Sequence, residues 1–316
     1  MKAIFFEKYG SVEALKIKEL PEPTVRKGEA LVRIETIGLN PRDTAIREGE
    51  LKFLTGRSFP KLTGADFSGE VVSLPPDVKH LREGDEVFGY FERVKGGVSA
   101  ELCAIPVQYL AVKPKEITHE TAAAIGCAYL TAFQALTQKA ALRKGQSVLI
   151  FGASGGVGTA ATHIAKQLGA RVTAVSHSGN REYCLAQGAD AFVAYDTEDV
   201  FDPKAKYDVF FQVYSKRGDV YSSAKKVLRK NGRFVCLIPN PLYVLKKLFF
   251  WPKFDFVLVK ANRKHLEQLI EWIQQGVFAP NIHRVYSFDE YQDAFRELET
   301  SSVQGKIVID VASGCN

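Results

Sequence analysis

The amino-acid sequence predicts an α/β protein in two parts, a β-rich segment followed by a doubly wound α/β segment. Three observations carry this. Residues 1 to about 115 read as short strands with turn punctuation and little helix. From Ser147 onward strands alternate with helices, and that alternation opens on a glycine-crowded turn between a strand and a helix. A chain of 316 residues is also too long for one ordinary core and suits two domains.

In the first part the strands are Ala3–Phe6, Ala30–Thr36, Gly69–Leu74, Glu86–Tyr90 and Leu102–Ile105. Breakers separate them at Pro21-Glu-Pro23, Lys27-Gly28, Pro75-Pro76 and Glu83-Gly84-Asp85. Residues Thr118 to Leu142 are Ala-rich and predict a helix whose start Thr118 and Thr121 can cap. The strand Val148–Phe151 then runs into Gly152-Ala-Ser-Gly-Gly-Val-Gly158. A helix with Ala161, Ile164, Ala165 and Leu168 at helical spacing follows, Gly169 closes it, and a second strand ends at Ser176. Strands Ala191–Ala194, Val209–Val213 and Phe234–Ile238 continue the alternation, Leu266–Gln275 is a helix ending at Gly276, and Lys306–Asp310 is a closing strand.

Small residues at such a turn let the backbone approach a pyrophosphate, and the helix N-terminus offers free N–H groups and a positive dipole end. The motif is Ala153-x-Gly155-Gly156-x-Gly158, with Ala in the first glycine's place, so the strand–turn–helix–strand context carries the reading. Ser154, Gly155, Gly156 and Val157 are the candidate phosphate contacts; a glycine-rich packing turn is the bland alternative. An NAD site wants a carboxylate about 20 residues past the glycines, gripping the ribose 2′-OH. Here the second strand ends in Ser176-His-Ser-Gly-Asn-Arg181, with no carboxylate until Glu182. The hydroxyls of Ser176 and Ser178 and the guanidinium of Arg181 suit a 2′-phosphate instead, so NADPH is the expected cofactor. Arg181 as a solvated helix-start residue is the other reading.

Composition narrows the class. Hydrophobic content of 46% and charged content of 25% describe an ordinary globular protein. The net charge of +6 is scattered, which argues against nucleic acid and is compatible with an anionic cofactor. Cys103, Cys127, Cys184, Cys236 and Cys315 form no C-x-x-C pair, which suggests reduced thiols and a cytoplasmic location. The chain starts directly as a strand, without signal-peptide features. Its greasiest stretch, Leu237 to Val259, is broken by prolines, lysines and Asp255, so no stable membrane insertion is expected. His119 and His163 form no spaced pair and read as surface or structural residues.

The segment order and seven motifs resemble the medium-chain dehydrogenase/reductase superfamily, and within it the zinc-free, zeta-crystallin-like quinone oxidoreductases. The motifs are GLNPRDTAIREG (38–49), GADFSGEV (64–71), GDEVFG (84–89), GGVSAEL (96–102), AYLTAFQAL (128–136), GASGGVG (152–158) and GKIVI (305–309). The resemblance implies a GroES-like catalytic domain at 1–117 completed by 263–316, a Rossmann dinucleotide-binding domain at 118–262, a nicotinamide in the cleft and a homodimer. Matching zinc-dependent relatives puts Asn40, Ala65 and Cys127 at the three catalytic ligand positions, and Asn and Ala cannot replace Cys and His there, so no metal is expected. Without a Lewis acid, alcohol oxidation is hard, whereas a quinone or α,β-unsaturated carbonyl accepts hydride directly.

By the same match Asn40, in a loop with Pro41, lies beside the nicotinamide ribose and substrate. Asp66 organises the cleft through hydrogen bonds, and Thr131 contacts the carboxamide. Turn chemistry would equally explain Asn40 and Asp66, and core packing Thr131. Tyr195 matches a tyrosine used near the 2′-phosphate, and Lys306 of GKIVI is grouped with the cofactor-binding residues. Ala45 stands where many quinone reductases carry a Tyr. The stretch 239–259 stays open between substrate wall, subunit contact and membrane-surface patch. The expected activity is NADPH-dependent reduction of a small-molecule quinone or enone, with an enoyl-thioester reductase or a non-catalytic NADPH-binding protein as alternatives.

Overall fold

The computed structural model describes residues 1–56, 58–92, 97–213, 220–237, 249, 253–300 and 303–314. Cys315 and most of the apolar stretch, residues 239–248 and 250–252, lie outside the described residues. The chain forms two compact units, unit 1 of residues 1–127 and 260–316, and unit 2 of residues 128–259.

Unit 1 is β-rich. Its strands are β1 (Lys2–Phe6), β2 (Lys16–Glu19), β3 (Glu29–Gly38), β4 (Lys61–Leu62), β5 (Asp66–Ser73), β6 (Glu86–Tyr90), β7 (Leu102–Pro106) and β8 (Leu110–Val112). Unit 2 contributes β9 (Ser147–Phe151), β10 (Arg171–Ser176), β11 (Ala191–Ala194), β12 (Tyr207–Gln212), β13 (Leu228–Cys236) and β14 (Phe254–Phe256). The chain then returns to unit 1 with β15 (Ile282–Ser287) and β16 (Lys306–Asp310). The helices are α1 (Pro41–Glu48), α2 (Lys52–Thr55), α3 (His119–Phe133), α4 (Gly156–Gln167), α5 (Arg181–Ala186), α6 (Tyr221–Val227), α7 (Arg263–Gln274) and α8 (Tyr291–Glu299).

The main sheet of unit 1 runs β15-β16-β3-β5-β6-β8, with β7 also paired to β3. Along β3 the apolar Val32 and Ile34 are buried while Arg33 stays exposed, the period-2 alternation of a half-buried strand, and an irregularity between Ile34 and Thr36 shifts the phase before the buried Ile37. Phe67, Ile307 and Ile309 meet them from the neighbouring strands. β16 lies between β15, which it pairs in parallel, and β3, which it pairs antiparallel.

Helix α1 corrects the expectation of a loop at Asn40 and Pro41. Asn40 is the N-cap, Pro41 supplies a preset φ at the first helical position, and the Asp43 carboxylate accepts the Asn40 N–H at 2.9 Å. Gly49 ends the helix at φ +82°, where a Cβ would come within 2.8 Å of the Tyr9 ring. The β15–α8 return, where Ala294 and Phe295 are buried, was also not anticipated from the sequence.

Unit 2 is a parallel six-stranded sheet in the order β11-β10-β9-β12-β13-β14. Counted from β9 this is 3-2-1-4-5-6, the doubly wound order of a Rossmann domain, whose switch point lies at the first strand's C-terminal end. Every residue of β9 is buried, as a strand covered on both faces requires. Phe210, Phe234 and Phe254 are cross-strand neighbours with ring centroids 5.4 and 5.3 Å apart, a stacked ladder across three strands. Helix α3 opens with Thr118 Oγ1 accepting the Thr121 N–H at 3.2 Å. It kinks at Gly126 and winds into a π-helical turn at Gln134–Lys139.

His163 of α4 is structural. Its Nδ1 faces the Tyr129 hydroxyl and its Nε2 the Gln187 Oε1, both at 2.9 Å, which assigns the proton to Nε2. Burial lowers its pKa from 6.5 to about 4, opposed by the Gln187 bond. The unfolded chain therefore takes up a proton near pH 6.5 that the folded one refuses until about pH 4. Stability is full above pH 6.5 and is expected to fall by up to about 3 kcal/mol between these values. Urea denaturation across that range, in the wild type and His163→Gln, checks this: the variant should show a shallower fall, and identical slopes would refute it.

Candidate functional site

In unit 1 the site residues gather on a buried carboxylate. Asp66 opens β5 and is fully buried. Its Oδ2 accepts from Asn40 Nδ2 at 2.9 Å and from Lys306 Nζ at 3.0 Å, and its Oδ1 accepts the Cys127 N–H at 2.6 Å. Asn40 is held from both ends, Oδ1 accepting from Lys306 at 2.7 Å while Nδ2 also reaches the Gly38 carbonyl at 3.3 Å. The third Lys306 donor goes to the Leu39 carbonyl at 2.7 Å. Four segments thus converge: β5, the start of α1, α3 and β16.

The local backbone makes this possible. A Cβ on Gly126 would fall 2.3 Å from Asp66 Oδ1, and one on Gly38 would fall 2.5 Å from the Ala123 carbonyl oxygen. Both glycines let α3 come close enough for its N–H at Cys127 to meet Asp66. Asp43 completes the α1 entry, with Oδ1 accepting the Gly64 N–H at 3.1 Å. Burial raises its carboxyl to about 6, the nearby Asp66 adding to the rise and Arg42 opposing it.

Lys306, grouped from the sequence with the cofactor-binding residues, lies in unit 1. An ammonium has three protons, and all three are engaged by acceptors within unit 1. The Lys306 ammonium ties Asn40 to Asp66. Of the positions matched to zinc ligands, Asn40 gives its oxygen to that ammonium, Ala65 is buried without a donor atom, and Cys127 is half-buried. Among the described residues no cluster of His, Cys, Asp and Glu is arranged to hold a metal ion. Tyr90 and Arg42, which sequence reasoning missed, stand beside this group: Arg42 Nη1 donates to the Tyr90 hydroxyl at 3.3 Å.

Unit 2 holds a second group at the C-terminal ends of β9 and β10. Gly155 is the N-cap of α4, and a Cβ there would meet nothing within 4 Å, whereas one on Gly158 would strike the Gly152 carbonyl at 2.1 Å. The turn thus has no room for a side chain at Gly158 and open space at Gly155, beside the first N–H groups of α4 at Gly156 and Val157. Ser154 and Ser176 hydroxyls lie 2.8 Å apart, and Asn180 Nδ2 donates to both, at 3.3 and 3.0 Å. Tyr195 adjoins them, its N–H donating to the Ser176 carbonyl at 3.0 Å.

Ser178 and Arg181 are placed otherwise. The Ser178 N–H and hydroxyl donate to the Asp196 carboxylate at 2.8 and 2.7 Å. Arg181 pairs with Glu198 at 2.6 Å and lies 4.8 Å from the Phe192 ring centroid. Thr131 belongs to unit 2 and is buried in α3.

The Asp66–Lys306 pair yields a test. Removing one partner leaves an uncompensated buried charge, a loss of about 3–5 kcal/mol. Lys306→Met is expected to destabilise unit 1 by that amount in urea denaturation, and adding Asp66→Asn should recover part of it. A loss below about 1 kcal/mol would show that the pair is not buried as described.

Comparison with known proteins adds the family. Residues 26–116 match the family model described as alcohol dehydrogenase GroES-like domain, and residues 187–309 that described as zinc-binding dehydrogenase. The chain is 35% identical to the 2-methylene-furan-3-one reductase of Solanum lycopersicum, over 98% of this chain and 79% of that one. It is 31% identical to a chloroplastic NADPH-dependent alkenal/one oxidoreductase of Arabidopsis thaliana, with the same coverages of 98% and 79%. The solved quinone oxidoreductase from Coxiella burnetii superposes with a TM-score of 0.91 at 29% identity, covering 98% of this chain and 99% of that one.

Proposed function

The chain belongs to the medium-chain dehydrogenase/reductase superfamily, in its zinc-free quinone oxidoreductase branch, and from that premise we propose that this oxidoreductase uses NADPH to reduce quinones and α,β-unsaturated carbonyl compounds. The observation that carries the reading is the donor set of unit 1. Asn40 commits its oxygen to Lys306 and Ala65 has no ligating atom, so neither position is suited to holding a Lewis acid. Such a site suits an acceptor that is electrophilic by itself. The named activities of the tomato, Arabidopsis and Coxiella relatives support the same acceptor class.

The unit 2 turn fits a nicotinamide dinucleotide, which when bound supplies the hydride. Gly155, Gly156 and Val157 would hold the pyrophosphate, and Ser154, Ser176, Asn180 and Tyr195 would surround the adenosine ribose. Support for NADPH is the hydroxyl and amide character of that group. The carboxylate of Asp196 is bonded to Ser178 rather than to these side chains. On the unit 1 side Asn40 would orient the ribose and acceptor, with Asp66 and Lys306 fixing its amide. A cytoplasmic homodimer completes the proposal, in keeping with Cys103, Cys127, Cys184 and Cys236 forming no disulfide. Among the described residues no helix is long and apolar enough to cross a membrane.

An acceptor screen following NADPH absorbance tests this. Turnover is expected with a naphthoquinone and with cyclohex-2-enone. A strong preference for an enoyl-CoA would favour the thioester reductase reading, and binding of NADPH without any turnover a non-catalytic role.

A second test concerns Arg181. Its pair with Glu198 joins two half-exposed groups and is worth about 0–1 kcal/mol, less than the about 1.5–3 kcal/mol of a charge-assisted bond to phosphate. The guanidinium should therefore leave Glu198 for a 2′-phosphate. Glu198→Gln is expected to tighten NADPH binding by up to about fivefold with NADH unchanged, and Arg181→Ala to weaken NADPH about tenfold. Fluorescence titrations giving one NADPH affinity for all three proteins would remove Arg181 from the site.

A further inference from the structure

The face of unit 1 that carries Asp66 also carries a hydroxyl whose own proton has no acceptor among the described residues. Tyr90 ends β6 directly opposite Asp66 of β5, and residues facing each other across an antiparallel pair project to the same side of the sheet. Tyr90 is only 3% exposed. Its oxygen accepts from Arg42 Nη1 at 3.3 Å, and the guanidinium carbon lies 5.9 Å from the ring centroid. Among the described residues no group accepts the phenol proton. A strand-end tyrosine could be packing alone. Yet buried polar groups normally have their partners, and a buried O–H that receives a bond from a cation and, among the described residues, passes none on is placed to donate to a bound molecule.

We propose that Tyr90, backed by Arg42, is the hydrogen-bond donor for the acceptor's oxygen during reduction, an inference that rests on the reductase reading above. The acceptor gains a hydride at its β-carbon, and the dinucleotide is oxidised by the same two electrons. The alkene π pair shifts to form the enolate, and the carbonyl π pair moves to oxygen. Tyr90 O–H meets that developing negative charge and keeps its proton, the Arg42 cation reinforcing its polarity, and solvent delivers a proton to the α-carbon. A donor already aimed at the place where charge develops lowers the barrier because nothing must reorganise during the reaction. Burial, with the neighbouring Cys127, pushes the phenol well above its ordinary range while Arg42 opposes, so it stays a donor at every working pH.

The variant Tyr90→Phe removes one oxygen and keeps the ring. It is expected to bind NADPH like the wild type but to lose about 100-fold in kcat on cyclohex-2-enone, the scale of one lost oxyanion donor. The loss on 1,4-naphthoquinone, which needs less help, should be about tenfold or smaller. Arg42→Met should lose activity in the same order of acceptors. A merely structural role would lower both acceptors equally or change NADPH affinity, and either result overturns the assignment. Independently of turnover, 4-nitrophenolate, an aromatic oxyanion, is expected to bind the wild type at least about fivefold more tightly than Y90F; equal affinities also overturn it. If the wild type reduces neither acceptor, the reductase reading itself fails. If it reduces both and Y90F stays within about twofold, only the Tyr90 assignment fails.

Discussion

The Asp66 carboxylate, buried and ionically paired with Lys306, is the constraint around which unit 1 is arranged. Desolvating two charges costs several kcal/mol for each ion, and a single contact at 3.0 Å does not by itself repay that. What offsets it is a full set of partners, drawn from the Asn40 amide, the Lys306 ammonium and the Cys127 N–H. Each partner comes from a different segment, so satisfying one carboxylate registers the entry to α1, the kink of α3 and strand β16 against β5. Its value lies in that specification more than in net stability. Gly126 and Gly38 are part of the same requirement, since a side chain at either would hold α3 away.

Much of this was legible in the sequence. Strands β3, β6, β9 and β11 follow from alternation or from short apolar runs between breakers, and the glycine turn from its strand–helix context. Helix α1 carried a readable signal, an Asn before Pro and an Asp at the third helical position, but the Asn-Pro pair also reads as turn chemistry, and nothing local separates the two. Lys306 is marked out by its motif, but its pairing with Asp66 and the placement of Tyr90 were illegible for a different reason. Whether a strand residue faces a site depends on register with its partner strands; Tyr90 is set by pairing with β5, and β16 pairs with β3 across most of the chain. Arg181 shows the same limit: its partner Glu198 lies beyond the next strand, where spacing arguments do not reach.

Unit 2 separates rigidity from recognition. The Phe210, Phe234 and Phe254 ladder fixes one half of the sheet by dry stacking, whereas the hydroxyl and amide group at Ser154, Ser176 and Asn180 sits where the strand order reverses. Two carboxylates, Asp196 and Glu198, enter from the loop after β11 and take up Ser178 and Arg181. The balance of charge around this group is therefore set by the third strand as well as the second, and short motifs centred on the glycines do not see it.

The placement of β16 bears on biosynthesis. A ribosome releases the N-terminal strands first, and domains generally form as they emerge. Here the main sheet cannot close when those strands appear, because the seat between β3 and β15 is filled by residues 306–310. Until then Asp66 lacks its countercharge, and the β3 edge is left unpaired along Thr36, Ile37 and Gly38. Unit 2, contiguous in the chain, has no such wait. During synthesis β3 thus presents an exposed template until residues 306–310 are delivered.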